Sequence, residues 1–203
     1  MKKIALIVCL LVICVAAGRA QESRQDVSIS GTVLIEPFIA SPTNTEVSAN
    51  RAFGALASYR FMLTPNSAIE ANYGITYQNK LWFRDLPTWT HIVPTRTQEA
   101  SFAYVRSFTF RKFNPFVEGG AGMLIFLPIV NTGLTTHDAQ QQSQITALFG
   151  GGIAYEISPS FDIRAEYRGL VTKVPTFKDT SDNFTTNKWY QIYDPVVGVA
   201  YHF

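Results

Sequence analysis

The residues best equipped for chemistry in this chain stand in a row. Asp162, Arg164, Glu166 and Arg168 alternate with Ile163, Ala165, Tyr167 and Gly169. Side chains of a strand alternate between its faces, so this segment would carry four charges on one surface and an apolar row on the other. A helix would scatter the same charges around its circumference. Other ionisable residues recur at the polar positions of similar segments: Glu36, Arg60, Glu70, Glu99, Glu118, Glu156 and Asp194. Carboxylates and guanidinium groups confined together form charge-assisted hydrogen bonds and ion pairs. Two outcomes are open for such a set, a polar plug that holds strands in register or a gated ion path.

Other chemistry finds little support. His91, His137 and His202 are not spaced as metal ligands, and none is accompanied by a serine and an acid in a hydrolase pattern. Cys9 and Cys14 are the two cysteines of the chain. The glycines at 119, 120, 122 and 150–152 are followed by no helix that could offer amides to a phosphate. Relief of wall curvature is the reading for them. Asn183, Phe184 and Thr185 match a glycosylation sequon by pattern alone. No catalytic residue, cofactor or metal is therefore expected.

The period of two that places the charges runs through most of the chain. Ile69, Ala71, Tyr73, Ile75 and Tyr77 oppose Glu70, Asn72, Gly74 and Thr76, and residues 53–61 and 145–157 alternate likewise. In residues 99–110, Arg106 interrupts the apolar row, which calls for a bulge or a side chain reaching an interface. Eight strands are expected, at about 27–40, 51–63, 68–80, 97–110, 116–127, 143–157, 161–174 and 190–203. Each exceeds the roughly 9–11 residues that a tilted strand needs to cross a bilayer. Short connections such as Thr64-Pro65-Asn66-Ser67 and Ser158-Pro159-Ser160 alternate with long ones at 41–50, 81–96, 128–142 and 175–189. A soluble sandwich has no reason to sort its loops this way, whereas a membrane barrel has short periplasmic turns and long external loops. The expected fold is an all-β, antiparallel, up-and-down transmembrane barrel.

The N-terminus fits that destination. Lys2 and Lys3 precede an apolar stretch at 4–17, with Gly18 and Ala20 after it. This is the pattern of a secretory signal peptide, too short for a spanning helix. Residues 1–20 are read as the signal and 21–203 as the barrel domain. Removal of the signal takes both cysteines and three basic residues, leaving 14 basic against 15 acidic residues. A nearly neutral mature chain gives no reason to expect nucleic acid as a partner.

Two local patterns resemble the outer-membrane barrel superfamily that includes the OmpA transmembrane domain and OmpX. One is the glycine-rich segment at 150–157 followed by a turn and the charged strand from Phe161. The other is the end of the chain, where Gly198, Tyr201 and Phe203 match a barrel-assembly signal. The resemblance covers the whole mature chain and implies an outer-membrane location. It also implies outer-membrane lipid and lipopolysaccharide as surroundings, and the barrel-assembly machinery and periplasmic chaperones as partners during biogenesis.

A fold of this kind does not fix an activity. An eight-stranded barrel is about wide enough for side chains to fill it, which favours the plug. Loop 81–96 is rich in apolar residues, and Trp82, Phe83 and Trp89 suit either an aromatic girdle or contact with an external ligand. The expectation is a structural or surface-interaction barrel with an adhesion-like role. A narrow channel or porin for small solutes is the alternative, followed by a lipid-modifying barrel enzyme.

Overall fold

The computed structural model describes residues 24–40, 45–77, 79–85, 89–129, 140–177 and 188–203, and of residues 40, 45, 79–80, 83–85 and 89–93 the backbone alone. The eleven strands are β1 (Gln25–Leu34), β2 (Ile39–Ala40), β3 (Thr45–Ala49), β4 (Ala52–Thr64), β5 (Ser67–Tyr77), β6 (Asn79–Asp85), β7 (Trp89–Ser107), β8 (Phe113–Pro128), β9 (Gln142–Ser158), β10 (Phe161–Lys173) and β11 (Trp189–His202). All pairings are antiparallel.

Eight of these strands close a ring in the order β1, β4, β5, β7, β8, β9, β10, β11 and back to β1. Closure removes free edges, so each wall strand finds backbone partners on both sides without help from water. The remaining strands continue the wall upward as a flap: β2 pairs with β3, β3 with β6, and β6 with β7. Residues 81–96, expected as a loop, are largely the two strands of this flap. Their backbones pair from Asn79 with Thr95 to Asp85 with Trp89. β7 is 19 residues long, nearly twice what a crossing needs.

The alternation is visible as burial. In β1 every second residue from Asp26 to Leu34 is buried, while Val27 and Ile29 face outward. Ile29, Phe53, Phe102, Ile145 and Val197 are each more than 60% exposed. A continuous apolar outer surface of this extent is stable only when lipid covers it. Arg106 lies on that outer face beside the β4–β5 turn, where its Nη1 donates to Ser67 Oγ at 2.7 Å. The pairing of β7 runs without a register shift there, so Arg106 reaches the rim without a bulge.

Several inward-facing glycines mark close approaches between neighbouring strands of the wall. A Cβ at Gly152 would sit 2.5 Å from the Ala165 carbonyl oxygen, whereas one at Gly119, on the outer face, would meet nothing within 4 Å. The inward glycines of β8 and β9, at 120, 122, 150 and 152, are therefore too close to their neighbours for a side chain.

Candidate functional site

Inward-facing charges converge at two levels. At mid-height Arg168 is fully buried and faces acids from three other strands. Its guanidinium forms a close ion pair with Glu99 on β7, lies 3.2 Å from Asp194 Oδ2 on β11, and has Nε 3.6 Å from Glu118 Oε1 on β8. Thr32 Oγ1 donates to Asp194, and Ser101 Oγ donates to Glu99 at 2.6 Å. One side chain on β10 thus links β7, β8 and β11, and Thr32 ties β1 to the same cluster through Asp194. Across the lumen Arg60 binds Glu70 through Nε at 2.7 Å and lies 4.9 Å over the ring of Phe116.

The lower level closes the barrel between its first and last strands. Arg164 holds Asp26 with a two-pronged contact, at 3.0 and 2.7 Å. His202 Nε2 lies 2.8 Å from Asp162 Oδ2, and its Nδ1 is 3.8 Å from Asp26 Oδ2. Ions that are buried and paired in this way hold register strongly, because a slip by one residue would send every charge into lipid.

Two apolar clusters flank the charged layers. Leu34, Leu81, Leu124, Phe126, Leu148, Leu170 and Ile192 pack together inside the upper barrel. Phe177 belongs to the same cluster; it has positive φ (51°) and is 1% exposed. Gln142 Oε1 accepts the backbone N–H groups of Thr176 and Phe177 at 2.8 and 2.7 Å, fastening the segment across the outer end. Near the periplasmic end, Ala68, Val105, Phe116 and Ala154 form a second apolar cluster. Between them a cavity of about 10 Å³, lined among others by Thr32, Thr97, Glu99 and Asp194, has room for one water.

Of the eleven charges expected in the lumen, Arg60, Glu70, Glu99, Glu118, Asp162, Arg164, Arg168 and Asp194 are buried in the networks just described. Glu36 is also buried, though it follows the end of β1, and Tyr190 Oη lies 3.4 Å from its Oε2. Glu156 and Glu166 are half-buried. Asp26 was missed because the first strand was begun at residue 27. It continues the inward row of Ser28, Ser30 and Thr32, a signal the sequence contains. His202 turns inward to Asp162.

The interaction candidates of residues 81–96 are strand residues and not loop residues. Trp82 in β6 is 39% exposed, while Phe83 and Trp89 are described by backbone pairing with His91 and Asp85. His137 and Asn183 lie outside the described residues. At the end of the chain, the Tyr201 ring packs against Phe161 and Phe203, and the Phe203 N–H donates to the Gln25 carbonyl at 3.0 Å. A Cβ at Gly198 would meet the Ile29 carbonyl oxygen at 2.5 Å, so the closing seam requires glycine there. Among the described residues no group of three or more His, Cys, Asp or Glu is arranged to hold a metal.

The same architecture recurs in solved structures. The outer membrane protein OprG from Pseudomonas aeruginosa superposes with a TM-score of 0.65 at 8% identity, over 90% of this chain and 97% of that one. Neisserial surface protein A gives 0.60 at 12%, over 89% and 98%. AlkL, solved in lipid bilayers, gives 0.50 at 14%, over 91% and 92%. At such identities the likeness concerns the fold. No curated protein matches the sequence. The family model of the outer membrane protein beta-barrel domain, however, matches residues 5–203. Together with a closed eight-stranded wall and a lipid-facing exterior, that match makes the chain a member of the outer-membrane β-barrel family.

Proposed function

We propose that this outer-membrane barrel does not conduct, and that it acts structurally or through its outer end, in an adhesion-like role. The observation that carries this reading is the filled lumen: Arg168 and its acids at mid-height, with the apolar cluster around Phe177 above them. A rigid plugged barrel is a platform, and here the platform raises the β6–β7 hairpin and Trp82 beyond the ring. Residues 1–20 serve as the export signal and 21–203 as the mature domain, inserted with the help of periplasmic chaperones and assembly machinery that read Gly198, Tyr201 and Phe203. The chain carries out no catalysis in this reading.

A narrow channel is the competing reading. In its favour, both amide atoms of Asn72 and both carboxylate oxygens of Glu118 are buried without hydrogen bonds, as in a lumen that water enters. Surface binding tests the adhesion-like role. Cells displaying the protein are compared with cells in which residues 80–94 are replaced by a short turn, for adherence to host-cell and abiotic surfaces. Adherence lost while the barrel still inserts supports the proposal. Equal adherence in both, or in cells lacking the protein, overturns the surface role.

A further inference from the structure

One periplasmic connection is unlike the others. The β4–β5 and β9–β10 turns are built from neutral, small residues, Thr64-Pro65-Asn66-Ser67 and Ser158-Pro159-Ser160. The β7–β8 turn instead places two cations, Arg111 and Lys112, at its tip and three phenylalanines around them. Phe108, Phe110 and Phe113 are 45%, 65% and 56% exposed. The turn is nevertheless well tied. Phe110 and Phe113 exchange two backbone bonds at 2.9 and 3.0 Å, the Phe108 N–H donates to Pro115 O, and the Glu156 N–H donates to Lys112 O. The Phe113 ring packs 5.0 Å from Tyr155.

Arg111 occupies a left-handed conformation, φ 56°, which favours glycine or asparagine over a long side chain. Local folding does not explain an arginine there. Its surroundings do. The exposed rings continue the lipid-facing wall to its lower edge, where aromatic residues anchor a barrel in the interface. Arg106, on the outer face and fastened to Ser67, lies just above the rings, and Arg111 and Lys112 lie just below. Glu156, brought beside the turn by its bond to Lys112, is on the lumen face of β9 and half-buried. Positive charge therefore flanks an apolar anchor at the depth of the headgroup phosphates.

We infer that the β7–β8 turn is a binding site for anionic phospholipid of the periplasmic leaflet, with Arg106, Arg111 and Lys112 taking the headgroup phosphate and the three phenylalanines anchoring the turn in the interface between them. The charge pattern sets the occupant: cations that stand immediately beyond lipid-facing rings meet phosphate, and a zwitterionic headgroup satisfies them less well than an anionic one.

Native mass spectrometry of the barrel released from nanodiscs of equimolar phosphatidylglycerol and phosphatidylcholine tests this. The intact protein should retain phosphatidylglycerol preferentially. Arg111→Gly should reduce that preference roughly fivefold, and Arg106→Gln with Lys112→Gln should reduce it further by a similar factor each. Because glycine suits the backbone at 111, Arg111→Gly should unfold at an unchanged or higher temperature, which separates lost lipid binding from lost folding. Unaltered preference in the triple variant would overturn the site. So would a preference abolished by Arg96→Gln, at the outer end, and untouched by Arg111→Gly.

Discussion

Arg168→Ala removes the cation that, among the described residues, pairs with Glu99, Glu118 and Asp194 in the mid-lumen cluster. At a contact distance of 3.2 Å, as for Asp194, and an effective dielectric constant near 20, Coulomb's law gives about 5 kcal/mol for one such pair before desolvation. Desolvation of the buried ions offsets much of this. Deletion of one partner nevertheless leaves the acids buried and uncompensated, which typically costs about 3–5 kcal/mol. Against a total stability on the order of 5–15 kcal/mol, that is a large fraction. With a urea dependence of about 2 kcal/mol per M, the unfolding midpoint in lipid vesicles should fall by roughly 1.5–2.5 M. Tryptophan fluorescence during urea unfolding reads the shift. Glu99→Gln should cost less, and in the Arg168→Ala background it should cost little or restore part of the loss, because it removes one of the stranded charges. A midpoint for Arg168→Ala no lower than that of a rim substitution such as Arg106→Ala would refute the reasoning.

The wall and its seam give further tests. Gly152→Ala should destabilise by about 1–3 kcal/mol through collision with the Ala165 carbonyl, while Gly119→Ala should be nearly neutral in the same denaturation assay. The rungs between β1 and β11 run from Asp26 to Thr32, after which Ile35 with Tyr193 forms a lone bridge, and Pro195 opposite Val33 has no N–H to donate. Amides at 35–39 and 193–197 should therefore exchange hydrogen faster than those at 165–169; uniform protection would remove the weak seam. Deletion of Phe203 should lower insertion in cells while barely changing refolding into detergent, and an equal loss in both would assign Phe203 to packing alone.

Much of this architecture was legible in the sequence because period two has a strict physical meaning. Asp162, Arg164 and Arg168 cannot share a face with Ile163 and Tyr167 in a strand, so the charged face had to turn away from lipid. The short proline-bearing turns then set the order of strands. The apolar upper lumen was not legible. In β8 the run Met123, Leu124, Ile125, Phe126 and Leu127 is apolar on both faces, so Leu124 and Phe126, which are fully buried inside, look no different from their lipid-facing neighbours. The same ambiguity hid the continuation of residues 81–96 as strands, since a long apolar connection and a protruding hairpin have one composition. Partner choice within the lumen was also hidden. That Arg164 takes Asp26, 138 positions away, depends on the register at which β10, β11 and β1 close, which no local pattern encodes.

The sealed lumen is the claim on which the functional reading stands, and conductance reads it directly. Purified protein inserted into planar lipid bilayers should show no steady single-channel current. Arg168→Ala and Phe177→Ala should introduce brief openings as the charged layer and the outer cluster loosen. A large, stable conductance in the unsubstituted protein would contradict the plug and establish the barrel as a channel.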